Sequence, residues 1–565
     1  MIQFSEIPYL RPDMDAIRRE MEEGTAALEG ASRFEEAYAA LLRLEEPRRR
    51  YATMAALSEI RGSMDTNDPF WTEEDAWFGA NGPGFEELCN RMARAALASP
   101  YRAELEKHLG AEPLRRAELE ARAFSSEILR DLEEENRLSS EYSRLTANLT
   151  AELDGKRYTL GQLTQMEDET DRASRKKFDA LRQSAFAEQT ERLDSMFDEL
   201  VRLRDRMAKN LGFASFTEVG FLRQTRTSYR RADLDAFRGA IQREITPAVS
   251  RLYAGEQARL GYGTLYNYDE GAIFAAKKLR AKPGKAEDLF APVFSALSPE
   301  TRVFYEDLRR FGFCDTGERK GKARNAYMEY LPAYHMPFVF TNYNGKFSEV
   351  VTFAHECGHA LQGYIKRGEP FLDNTNPSFD LCEIHSMAME FFIWPYLREL
   401  VPEEDIDKYK YLHLKSALSF IPYGTIVDAY QTQVYDRPEL TPAQRRALWQ
   451  SLEREFLPWK KFDGDGFYAQ GRFWQRQTHI YRWPFYYIDY VLAQTCALQY
   501  HFMDEENHEK AWRSYLTLVR ESDRCSFAGT LERAGLESPF KPGVLAELGR
   551  RATAELDALA AKAYR

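Results

Sequence analysis

The sequence predicts a mainly α-helical protein of two lobes with one small β-sheet element. Three observations carry that expectation. The chain has 565 residues, well past the roughly 250–300 at which a single compact core stops growing. Apolar residues recur at spacings of three and four along most of it, the period of an amphipathic helix. Strand-like runs are rare.

Through residues 13–150, helix-forming residues dominate and charges alternate in sign, as on the solvated faces of long antiparallel helices. "FEEAYAALLRLEEPRRRYATMAALSEIRG" reads as two helical stretches divided by Pro47. "SPYRAELEKHLGAEP" has a Ser-Pro start and a Gly stop. "DETDRASRKKFDALRQSAFAEQTERLDSMFDELVRLRDRMAKNLGFASF" continues the pattern, with Gly212 as a helix stop. The best strand signal is "MPFVFTNYNGKFSEV", residues 336–350: a β-prone aromatic run, an Asn-Gly turn and a second short run. It predicts a hairpin or edge strand, to which an extended peptide could add through main-chain hydrogen bonds with broad tolerance of sequence. "DGDGFYAQG", residues 463–471, reads as a flexible connector or a loop over a cleft; it lacks the further ligands of a calcium loop. No low-complexity linker separates the lobes, which are placed at 1–195 and 196–565.

Composition excludes some functions. Apolar residues are 44% and charged residues 29%, with net charge −12, and no Lys/Arg stripe marks a nucleic-acid surface. No apolar run approaches the roughly 18 residues that suggest a membrane span. "MIQFSEIPYLRPD" has neither a basic nor an apolar targeting region, so a cytoplasmic protein is expected. The six cysteines, Cys89, Cys314, Cys357, Cys382, Cys496 and Cys525, are scattered without a CxxC pair and read as free thiols.

The chemistry concentrates in "VTFAHECGHALQGY", residues 351–364. On a helix, His355 and His359 lie one turn apart on one face and can reach one ion. Glu356 points about 100° away, placed to serve a water at that ion without ligating it. A catalytic zinc site needs a third protein ligand. "FDLCEIHSMAMEFF", residues 379–392, puts Asp380, Glu383 and Glu390 on one face of an otherwise apolar helix, where carboxylates need partners. One can ligate, and another can hold the second nitrogen of a histidine ligand; spacing alone does not choose between Glu383 and Glu390.

Together these segments resemble the M3 family of zinc metallopeptidases, and its oligoendopeptidase F branch more closely than its thimet oligopeptidase branch. The family pattern is HExGH followed by E-x-x-S-x-x-x-E, matched here by Glu383, Ser386 and Glu390. Cys357 stands where many members carry Phe. The resemblance covers roughly residues 150–565, with specific motifs between 335 and 495. It implies a neurolysin-like zincin fold with two helical lobes around a deep substrate channel. It implies one zinc per chain on His355, His359 and Glu383, with Glu390 behind a histidine ligand and Glu356 as general base. A third segment, "THIYRWPFYYIDYVLAQ", resembles the family's histidine and Y-x-x-Y pair, implying that His479, Tyr487 and Tyr490 stabilise the transition state, with Tyr486 a rival for Tyr487. Substrates would be short unstructured peptides cut internally. Rival readings are a helical zinc carboxypeptidase or dipeptidyl carboxypeptidase, and a non-catalytic peptide-binding relative.

Overall fold

The computed structural model describes residues 2–274 and 278–564. It is mainly helical, as the sequence predicts, with two small sheets. Near the N-terminus, helices Met14–Glu29, Phe34–Met64 and Pro69–Ala98 bury one another's apolar faces. Asp13 and Asp68 cap two of them, accepting backbone amides of the first turn. Their core, built on Ile17, Met21, Leu41, Leu44, Leu88 and Met92, is completed by a distant residue, Phe371. A larger core holds most of the remaining chain.

Four helices frame the functional region: a histidine helix (Phe347–Ile365), a glutamate helix (Phe379–Phe392), a long helix (Ile406–Asp436) and a tyrosine helix (Tyr487–Glu506). The glutamate helix packs between the histidine and tyrosine helices. Gly358 explains how closely the first two cross. A Cβ there would lie 2.6 Å from the His385 carbonyl oxygen and 2.6 Å from the Ser386 Cα, so any larger residue would force the helices apart.

Several local expectations need correction. Pro47 does not divide two helices; the helix Phe34–Met64 runs through it. Residues on both sides, Leu44 and Tyr51 among them, are buried, and that continuous packing outweighs the amide lost at proline. The hairpin predicted across 336–350 is not formed. The strands are β1 (Thr150–Leu153), β2 (Lys156–Thr159), β3 (Cys314–Gly317), β4 (Tyr327–Leu331) and β5 (Met336–Tyr343). β5 pairs antiparallel with β4 and parallel with β3, in the order β3-β5-β4. It is therefore the central strand, with both edges taken, and no peptide can add to it. The run after Asn344–Gly345 instead opens the histidine helix at Phe347. The sheet still lies where expected, against the histidine helix. The β1–β2 hairpin turns at Asp154 and Gly155, both at positive φ, as a two-residue turn requires; the sequence reading missed it. The glycine-rich stretch 463–471 ends in a π-helical turn, Tyr468–Arg472. Asp463 is tied to the Tyr268 hydroxyl at 2.9 Å and to Lys176 at 2.9 Å.

The connection between the histidine and glutamate helices is gripped by the N-terminal helices. Arg48 pairs with Asp373 at 2.7 Å. Arg49 donates to the carbonyls of Glu369 and Pro370 at 3.0 and 2.8 Å. The Glu45 carboxylate accepts the Leu372 amide at 2.8 Å, and Asn374 donates to the Leu109 carbonyl at 2.8 Å. All six cysteines are free. Among the described residues, no helix is long and apolar enough to cross a membrane.

Candidate metal centre

The helical spacing of His355 and His359 brings both imidazoles to the glutamate helix. His355 Nε2 lies 3.2 Å, and His359 Nε2 3.3 Å, from the same oxygen, Oε2 of Glu383. The three side chains can offer donor atoms all within 4.8 Å of one another. Ser386, one turn on, donates to Glu383 Oε2 at 3.1 Å and holds the carboxylate in place.

Each imidazole is also held at its other nitrogen. His355 Nδ1 meets Glu390 Oε1 at 2.7 Å. The second Glu390 oxygen meets His413 Nε2 at 2.8 Å, and the Trp394 indole donates to His413 Nδ1 at 2.9 Å. His359 Nδ1 faces the Cys382 sulfur at 3.7 Å. Glu383 and Glu390, which spacing left undecided, thus separate: Glu383 meets both histidines, and Glu390 supports one. Asp380 joins neither. It accepts from Ser378 Oγ at 2.6 Å, and burial pushes its pKa up to about 6.

The donor set fits a divalent metal. Two imidazoles, which ligate a metal in their neutral form, and a carboxylate, with outward nitrogens already partnered, match the chemistry of catalytic zinc. The electrostatics agree. Burial works against charge on His355, but hydrogen bonds to Glu383 and Glu390 carry its pKa up to about 10. Burial would also raise Glu383, yet His359 and His355 hold it well below the usual carboxylate range. A cluster that draws positive charge so strongly is one a cation satisfies.

Glu356 sits beside the histidines, 6% exposed. No side chain among the described residues hydrogen-bonds its carboxylate. Burial raises its pKa, partly opposed by His355 and His359.

The third segment faces the cluster from the tyrosine helix. Phe485 adopts φ 69°, a left-handed conformation costly for an aromatic residue. Its amide donates to Gln431 Oε1 at 2.7 Å, its carbonyl accepts from Arg226 at 2.6 Å, and its ring fills the space left by Gly220. This turn presents Tyr486, whose hydroxyl donates to Glu383 Oε1 at 2.6 Å. Tyr490, one helical turn later, has its ring 5.0 Å from that of Tyr486. Tyr487 lies about 100° round the helix and packs against Phe420, Tyr423 and His479. Sequence resemblance pointed to Tyr487, with Tyr486 its rival; Tyr486 is the one that touches the cluster.

His479 lies 5.6 Å ring to ring from Tyr490. Burial lowers its pKa to about 4, so the ring is neutral near pH 7. The Gln477 amide nitrogen is 2.9 Å from His479 Nδ1, and the Tyr423 hydroxyl donates to Gln477 Oε1 at 2.8 Å. Donation by Gln477 leaves the ring proton on Nε2. Sequence reasoning missed His413, Tyr423 and Gln477; His413 and Tyr423 lie on the long helix and Gln477 is the extended residue between two short helices, none of them in a motif spacing.

A cavity of about 910 Å³ adjoins the cluster, with Glu390 and His413 on its lining together with Gln477, Phe420 and Tyr423. That is ample for several residues of extended peptide.

Fold and site together define a mainly helical HExxH protein whose third ligand carboxylate comes from a second, crossing helix. Residues 4–124 match the family model described as the peptidase M3 N-terminal domain, and residues 279–549 that of peptidase family M3. The chain is 23% identical over 343 residues to an oligoendopeptidase F homolog of Borreliella burgdorferi, covering 55% of each. It is 23% identical over 222 residues to oligopeptidase PepF of Bacillus subtilis, covering 38% of this chain and 32% of that one. The matches thus span about half the length of these curated relatives or less. Solved structures align nearly whole. PZ peptidase A with an inhibitor gives a TM-score of 0.94 at 36% identity, covering 98% of this chain and 99% of the other. A protein from Bacillus anthracis str. Ames assigned to oligoendopeptidase F gives 0.90 at 34%, covering 99% and 98%. The chain belongs to peptidase family M3, in its oligoendopeptidase F branch.

Proposed function

We propose that the protein is a zinc-dependent oligoendopeptidase that hydrolyses internal bonds of short unstructured peptides. One observation carries this reading: two histidines of one helix and Glu383 of another converge through Nε2, Nε2 and Oε2, with Glu356 free beside them.

Zinc held by His355, His359 and Glu383 would polarise the scissile carbonyl and acidify the water nucleophile. Glu356 accepts the proton of that water as its oxygen bonds to the carbonyl carbon. It then delivers the proton to the departing amine as the C–N bond breaks. Its burial favours proton uptake. The oxyanion formed in between is met by O–H of Tyr490 and by Nε2–H of His479, while the single O–H of Tyr486 stays on Glu383 Oε1 and steadies that ligand. Burial keeps both phenols protonated at neutral pH. Donors aimed at charge that appears only in the transition state raise the rate more than the affinity. Tyr487 supports His479 by packing. An extended substrate that pairs with the sheet does so at β4, its antiparallel edge. A cavity of about 910 Å³ takes an extended peptide and not a folded domain, and the absence of a basic stripe disfavours nucleic acid.

The test is hydrolysis of an internally quenched peptide of about eight to ten residues, blocked at both ends, a length suited to such a cavity. Cleavage that a chelator abolishes and zinc restores is expected. A zinc-loaded protein that leaves the blocked peptide intact but trims free-ended ones would be an exopeptidase, and the proposal would fall.

A further inference from the structure

The cavity beside the metal centre carries five described cations on its lining: Arg280, Lys346, Lys415, Lys460 and Arg476. Four are neutralised by carboxylates. Arg280 and Lys346 share Glu169 at 3.4 and 2.9 Å. Lys415 pairs with Glu256 at 2.7 Å, and Lys460 with Glu270 at 3.4 Å. Arg476 differs. Among the described residues no carboxylate lies within ion-pair distance of it, and its one polar contact is the Tyr468 hydroxyl at 3.3 Å.

Its setting is nonetheless a built one. The guanidinium packs over the rings of Phe473 at 4.9 Å and Tyr468 at 5.7 Å. Such contacts restrain the plane of the group while leaving its fork of N–H donors available. The side chain is exposed to the cavity. The next residue is Gln477, which holds His479. A peptide whose scissile bond lies at the metal centre and whose chain extends into the adjoining cavity shares that cavity with Arg476. A planar guanidinium with free donors matches a carboxylate in geometry and charge.

We propose that Arg476 binds a carboxylate of the peptide substrate and so sets a preference for where, relative to that carboxylate, the chain is cut. The carboxylate is the substrate's free C-terminus or an acidic side chain beyond the scissile bond; the chemistry of recognition is shared. This rests on the peptidase reading above but fails separately from it.

The experiment uses the full chain and one quenched peptide sequence in three forms: the C-terminal acid, the C-terminal amide, and amides with a single Glu placed in turn at each position after the scissile bond. kcat/KM and, on a Glu356→Gln background, Kd are measured for each form. The expected result is a preference of about ten- to a hundredfold for one carboxylate form over the plain amide, the range for a hydrogen bond to a charged group. Arg476→Gln brings that ratio towards one, and Arg476→Lys keeps part of it. Preference for the acid identifies the terminus as the ligand; preference for one Glu amide identifies a side chain. Equal use of all forms by the unsubstituted protein overturns the proposal. So does an Arg476→Gln variant that lowers every form by one factor, because a merely structural role leaves the ratio alone. If nothing is cleaved, the peptidase reading fails, and the Kd ratio alone decides Arg476.

Discussion

Glu390 reaches His355 from behind, its Oε1 2.7 Å from Nδ1 of the imidazole. The same carboxylate is anchored by His413 at 2.8 Å. It orients the ring and makes Nε2 a better donor to a metal. Glu390→Gln keeps the size of the side chain and removes the charge. Zinc affinity is expected to fall about 10- to 100-fold, read by competition with a chromophoric chelator. Equal affinities would show that Glu390 is only packing.

Glu356 serves the proton and not the metal. Glu356→Gln should retain stoichiometric zinc and an unchanged circular dichroism spectrum while kcat drops by at least about 10²- to 10⁴-fold. Metal analysis and steady-state kinetics on the same preparation decide it; turnover near the unsubstituted rate rejects the assigned role.

The two neighbouring tyrosines should behave differently. Tyr486→Phe loses the hydroxyl that holds Glu383 Oε1, and should cost about 10- to 100-fold in metal affinity or activity. Tyr487→Phe removes a hydroxyl that meets no cluster atom, and should cost only a few-fold. The reverse order would mean that substrate binding rotates this helix.

The His479 pKa of about 4 lies below the free value of about 6.5. Between those values the unfolded chain takes up a proton that the native chain refuses. Native stability from this residue is therefore fully present above about pH 6.5 and falls as pH drops towards 4. His479→Gln should flatten that slope by up to about 1.4 kcal/mol per pH unit, measured by urea unfolding across the window. The ring also stays neutral at pH 5, so the acid limb of kcat/KM should show no step near 6.5 from this residue.

Phe371 is 2% exposed in the N-terminal core although it belongs to the connection between the site helices. Phe371→Ala should cost about 3–5 kcal/mol and weaken zinc binding in the folded protein, because the connection to the Glu383 helix loosens. A stability loss with unaltered zinc affinity would uncouple the two.

Much of the site was legible because its chemistry fixes local spacing. His355, Glu356 and His359 needed only the period of a helix, and resemblance singled out Glu383. What stayed hidden depends on how distant segments cross. His413 reaches Glu390 from a separate helix. Tyr486 and Tyr487 differ only through the left-handed turn at Phe485, which no propensity announces. β5 looked like an edge strand because β4, only five residues long, was not read as a strand, and the Asn344–Gly345 pair signalled a hairpin where a helix begins. Pro47 misled because burial on both sides outweighs one missing amide.

The use of Phe371 by the N-terminal core has a consequence for how the chain is made. The other buried members of that cluster have all left the ribosome by Leu109, but the ring that seals them follows more than 250 residues later. At about 5–20 residues per second, the gap lasts on the order of tens of seconds. Throughout that time the nascent lobe carries an unfilled apolar notch. That first-made part is completed only when the connection carrying Phe371 arrives, just ahead of the helix that carries Glu383. A ribosome-bound chain stalled before residue 371 is thus a natural client for chaperones.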